Sequence, residues 1–163
     1  MIGATQGPCA GATLIQWNLA SPASTPFGIW DVNTRLGRFT GSNLQVAQCN
    51  AAAAQSNGNS ISAFISMRIT NIGSGVCLEN VWLWTADHDI DDIDDAQITA
   101  YIGRGLSVDS TTGNIWLQVG RRDWWMALTF DSIGTAVEEH SLFQYQFANT
   151  QNVFMGFTQT ETP

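Results

Sequence analysis

Gly134-Thr-Ala-Val-Glu-Glu-His-Ser-Leu-Phe-Gln-Tyr-Gln-Phe-Ala-Asn-Thr-Gln-Asn-Val-Phe-Met-Gly-Phe-Thr-Gln-Thr-Glu-Thr-Pro163 is the stretch that decides how this chain of 163 residues is read. Within it Phe143, Tyr145 and Phe147 alternate with Gln144 and Gln146, the period-two pattern of a half-buried strand. The pattern predicts two strand-like runs, Ser141 to Phe147 and Asn152 to Thr158, joined by the polar turn Ala148-Asn-Thr-Gln151. An acid flanks the pair on each side, Glu138 and Glu161, 23 residues apart. A parallel β-helix winds one coil in roughly 20 to 25 residues. One coil between the glutamates puts their backbones on adjacent rungs, about 4.8 Å apart along the axis. Side chains splaying from there reach a carboxyl separation of roughly 5 to 9.5 Å, over which a carboxylate pair hydrolyses a glycosidic bond. Spacing by itself is weak evidence, since any two acids can fall this far apart.

The words carry more. The run resembles the hallmark segment of glycoside hydrolase family 55, the exo-acting β-1,3-glucanases (glucan 1,3-β-glucosidases). Three further stretches resemble the same family in the same order: Gly28-Ile-Trp-Asp-Val-Asn-Thr-Arg-Leu-Gly-Arg-Phe-Thr-Gly-Ser-Asn-Leu-Gln-Val-Ala-Gln-Cys49, Leu78-Glu-Asn-Val-Trp-Leu-Trp-Thr-Ala-Asp-His-Asp-Ile-Asp-Asp92 and Tyr101-Ile-Gly-Arg-Gly-Leu106. The resemblance implies two right-handed parallel β-helices side by side, with the active site in the cleft between them. Residues 1–163 match part of the second, so the expected fold is all-β, a single partial β-helix domain of the pectate-lyase-like kind, with the first helix of the parent missing.

The resemblance also implies an inverting hydrolysis that releases glucose from the non-reducing end of a β-1,3-glucan, with no cofactor and no metal. Carried over by position, Glu161 is the general acid, and Glu138 is the carboxylate that holds or deprotonates the attacking water. A similar loop in the family borders the glucose pocket, which makes Trp84 a flat apolar face for a pyranose ring and Asp87 and Asp91 acceptors for sugar hydroxyls. Glu139 stands where the family has His, and a second carboxylate there would raise one or both pKa values if both were buried.

Composition agrees with an extracellular β protein: 44% hydrophobic residues, 12% charged, seven tryptophans and fifteen glycines. A net charge of -8 disfavours a nucleic-acid partner, because phosphate binding needs clustered Lys and Arg. A neutral polysaccharide is not repelled. No run of about twenty apolar residues offers a membrane span, and the N-terminus lacks a secretory signal. Cys9, Cys49 and Cys77 make an odd count, which fits either a piece of a disulfide-bearing protein or three buried thiols.

Ala12 to Trp17 and Ile61 to Thr70 read as strands, and residues 50–60 as a polar loop. Asn80-Val-Trp-Leu, Asn114-Ile-Trp-Leu and Asn152-Val-Phe-Met share one pattern, as in stacked coils whose like residues ladder. Residues 87 to 95 hold six aspartates and His88. They fail the EF-hand template, with Asp92 at the glycine position and Ile98 at the closing glutamate, and read as an exposed acidic loop.

Val119 to Ile133 has no counterpart in the family pattern. The segment reads as an insertion, and a retained intron is one account of it, since its first codon, a valine codon, begins with the GT of a splice donor. Its Trp124-Trp125 pair is otherwise an aromatic platform for glucan. Two alternatives stand beside the enzyme: a non-catalytic β-helix that binds glucan, and an inactive gene fragment. His140 reads as a structural histidine rather than a general base.

Overall fold

The computed structural model describes residues 12–22, 24–37, 39–51, 60–109, 114–118, 135–156 and 158–161. Twelve strands follow one another: β1 (Thr13–Trp17), β2 (Phe27–Trp30), β3 (Asn33–Leu36), β4 (Ile61–Ile69), β5 (Val76–Glu79), β6 (Val81–Thr85), β7 (Tyr101–Asp109), β8 (Ile115–Gln118), β9 (Thr135–Glu138), β10 (Phe143–Ala148), β11 (Val153–Met155) and β12 (Thr158–Glu161). No helix occurs among the described residues. Every third strand joins the same sheet, giving the orders β1-β4-β7-β10, β2-β5-β8-β11 and β3-β6-β9-β12. All nine strand pairings are parallel. The chain is therefore all-β and visits three parallel sheets in rotation, an arrangement compatible with a β-helix.

Alternation along each strand sends one set of side chains inward, and like residues meet across the rungs. Ile15, Met67, Leu106 and Tyr145 share one register position, and Trp17, Ile69, Val108 and Phe147 the next but one. Val76, Ile115 and Val153 line up in the second sheet, as do Leu78 and Leu117. Leu83 and Val137 do so in the third. These residues form the main core, where Leu78, Leu83, Leu117 and Val137 are all fully buried. Each buried aliphatic side chain contributes on the order of 1.5–3 kcal/mol.

Corners explain the uneven length of the windings. Glu138 returns to Glu161 in one short turn, as the spacing implies, but Val76 needs until Ile115 and Trp84 until Glu138. Extra residues sit between the strands, and the pairings hold one register apart from a shift between Ile61 and Ala63 of β4. The corner from second to third sheet is Asp31 and Val32 in the first winding and Asn80 alone in the second. Asp31 and Asn80 have φ of 55° and 52°, and the Asn80 amide donates to Asp31 Oδ1 at 2.8 Å. Short polar side chains tolerate this left-handed conformation best after glycine.

The shared Asn words divide accordingly. Asn114 and Asn152 both lead strands of the second sheet, and Ile115 N donates to Asn152 O at 3.1 Å. The Asn80 word belongs to the third sheet, so it repeats the composition without sharing the ladder. The segment 119–133 lies outside the described residues, as does Cys9. Cys49 and Cys77 are both buried.

Candidate active site

The outer face of the third sheet collects the residues of interest. Thr34, Leu83 and Val137 turn into the molecule and are buried, so their neighbours one position on face outward. In register these neighbours are Arg35, Trp84, Glu138 and Glu161, one from each of β3, β6, β9 and β12. Trp82 stands two residues before Trp84 on the same face.

Glu138 is 3% exposed although it points away from the core. Its Oε2 accepts the Trp82 indole N–H at 2.9 Å, while Oε1 is buried with no hydrogen-bond partner. Burial raises its pKa above the ordinary glutamate value, the Trp82 hydrogen bond works against this, and the charges of Glu161 and Asp87 add to the rise. Glu161 is exposed, and its carbonyl accepts the backbone N–H of Glu139 at 3.0 Å. The upward shift expected of a general acid thus falls on Glu138.

Trp84 is half-buried, and its ring is already engaged. The Trp82 ring stacks on it at 4.9 Å with 17° between planes, and the Arg35 guanidinium lies 4.5 Å from its centroid. A sugar can use only what these two leave. Asp87 Oδ2 pairs with His88 Nδ1 at 2.9 Å, while Oδ1 is buried with no hydrogen-bond partner among the described residues. Asp91 is exposed, and its Oδ2 accepts from Thr40 N at 2.6 Å and Thr40 Oγ1 at 3.0 Å.

The acidic run is not wholly an exposed loop. Asp89 is 3% exposed and accepts the N–H of Val46 at 3.0 Å and of Asp91 at 3.2 Å, tying this loop to residues 42–49. Asp91, Asp94 and Asp95 are exposed. Among the described residues no group of three or more His, Cys, Asp or Glu is placed to hold a metal ion. Arg35 answers the local negative charge: burial lowers its pKa, and Asp87, Asp89, Asp95 and Asp91 oppose that.

His140 is 2% exposed and bonded through both ring nitrogens. Nδ1 lies 3.1 Å from Gln144 Oε1, an acceptor, so Nδ1 carries the proton and Nε2 accepts from Ser66 Oγ at 2.7 Å. Burial is the main cause of a pKa lowered to about 4. This is the geometry of a neutral structural imidazole.

Sequence reasoning named Trp84 and passed over Trp82 and Arg35. The alternation Val81-Trp-Leu-Trp84 holds the signal for Trp82, since it puts both indoles on one face. Arg35 reaches the site only through register, which no local pattern announces.

No family model matches the chain. It is 41% identical over 163 residues to a glucan 1,3-beta-glucosidase of Cochliobolus carbonum, across all of this chain and 18% of that protein. It is 36% identical to a probable glucan endo-1,3-beta-glucosidase of Arthroderma benhamiae, again across all of this chain and 17% of the relative. A non-secreted LysM effector of Penicillium expansum is 38% identical over 157 residues, 96% of this chain and 10% of its own length. The chain spans less than a fifth of the length of each of these curated relatives. Over its whole length it is related to proteins named as glucanases.

Proposed function

We propose that this chain is the catalytic segment of an exo-acting β-1,3-glucanase of glycoside hydrolase family 55, built as part of a right-handed parallel β-helix. The observation that carries this reading is the register of the third sheet, in which Glu161 pairs with Glu138. Two carboxylates on neighbouring rungs are close enough to flank one glycosidic bond. Glu138 activates water. A raised pKa makes it a stronger base while it stays ionised at the working pH, and its burial and the charge of Glu161 supply that rise. Glu161 protonates the leaving oxygen, and it needs a desolvating wall that the rest of a longer protein supplies. Trp84 and Asp87 then contact the terminal glucose, and the enzyme works outside the cell on polymeric glucan.

The test is glucose release from a linear β-1,3-glucan by this chain and by a version extended in both directions, each with Glu138→Gln and Glu161→Gln. The expected result is release of α-glucose, the inverted anomer, lost by at least about 100-fold in either variant. Hydrolysis that survives both substitutions would exclude the reading. The LysM-named relative favours a second reading, a β-helix that binds glucan without cleaving it. Glucan binding by the extended wild type with no glucose released would select that reading.

A further inference from the structure

Glu138 offers two unlike oxygens. Oε2 is held by the Trp82 indole, whereas Oε1 is buried with no partner, and a buried orphan acceptor marks the place where a donor is due. Trp82 is itself braced. It stacks on Trp84, Trp84 lies under the Arg35 guanidinium, and Arg35 Nη2 donates to His88 O at 2.9 Å. Trp84 shares a register position with Glu138 yet makes no hydrogen bond to its carboxylate.

We infer that Trp82 is the positioning residue for Glu138: its N–H clamps Oε2 and fixes the carboxylate plane. This rests on Glu138 being the base proposed above. In that step the water oxygen bonds to the anomeric carbon, the glycosidic C–O bond breaks, the water proton passes to the Glu138 carboxylate, and the departing oxygen takes the proton of Glu161. Trp82 is unchanged throughout. Its contribution is orientation, since a carboxylate free to rotate offers the water either oxygen at poorer geometry, and misplacement by about 1 Å costs on the order of 100-fold. An N–H donor on Oε2 also favours the ionised form that a base requires. Trp84 and Arg35 act on Glu138 only through the Trp82 ring.

The experiment is a pH titration of the side-chain carboxyl carbons of the 163-residue chain labelled with carbon-13 glutamate, the Glu138 signal being the one absent from Glu138→Gln. Trp82→Phe keeps the ring stack and removes the donor. It should move the Glu138 midpoint to higher pH by about one to two pH units, the size of a charge-assisted hydrogen bond. Trp84→Phe should leave that midpoint in place. Should Trp82→Phe fold poorly, benzothienylalanine at position 82 deletes the N–H within the same ring shape and must give the same shift. In the extended enzyme, the acid limb of kcat/KM moves up in pH with Trp82→Phe. A wild-type midpoint in Trp82→Phe, or an equal shift in Trp84→Phe, overturns the assignment. Because the titration needs no turnover, it stays decisive if Glu138→Gln proves active and the role of Glu138 as base is lost.

Discussion

His140 shows how much one buried side chain contributes to the acid sensitivity of the fold. Its pKa of about 4 lies below the ordinary 6.5 because burial penalises the imidazolium. Above pH 6.5 folded and unfolded chains both carry a neutral ring, and His140 adds no pH dependence. As pH falls from 6.5 towards 4 the unfolded chain takes up a proton that the folded chain refuses, so stability falls, by on the order of 3 kcal/mol at pH 4. Urea unfolding midpoints of the wild type and His140→Gln, compared across that window, should converge as the pH drops. Glu138 acts with the opposite sign. Its raised folded pKa means the unfolded chain ionises first, so stability falls as pH rises past the ordinary glutamate value. The stability of Glu138→Gln relative to wild type should therefore increase with pH in the same urea series, and a flat difference would contradict the burial cost assigned to this carboxylate.

At the scale of elements, strand contacts set narrow limits. A Cβ at Gly105 of β7 would meet Val137 Cγ1 and Gln144 O, the first inside β9 and one residue from Glu138. Gly105→Ala should destabilise the fold by about 1–3 kcal/mol, read by thermal unfolding. The corner between β8 and β9 allows a bolder test. Residues 119–134 separate the two strands in sequence, where the second winding uses Asn80 alone. Deleting 119–133 leaves Gly134 as the single connector, and glycine adopts the left-handed conformation of Asn80 at no steric cost. The deleted chain should fold with a melting temperature at or above that of the full chain, and its failure to fold would show that the segment is required. On either side of it β8 pairs with β5, and β9 with β6, in unshifted register.

For the whole molecule, the sequence made the parallel, coiled character legible through one short winding, where Phe143, Tyr145 and Phe147 alternate and two acids bracket the turn. The longer windings were hidden, because residues between Leu36 and Ile61 or between Thr85 and Tyr101 follow no strand period and only register shows that they are excursions from the stack. The site divides in the same manner. The pairing of Glu138 with Glu161 follows from their spacing, whereas the Trp82 hydrogen bond and the Arg35 contact depend on which rungs become neighbours. Asp91 Oδ2 holds Thr40 across a gap in sequence that nothing local reveals.

All of this depends on stacking that carries residue 161 back beside residue 138, and the charge of one glutamate is the natural probe of the other. In the carboxyl titration of the 163-residue chain, Glu161→Gln removes a negative charge that helps to raise Glu138. The Glu138 midpoint should then move to lower pH, while Asp94→Asn, on the exposed acidic loop, leaves it where it was. A Glu138 midpoint that ignores Glu161→Gln would mean that the two carboxylates do not share a site.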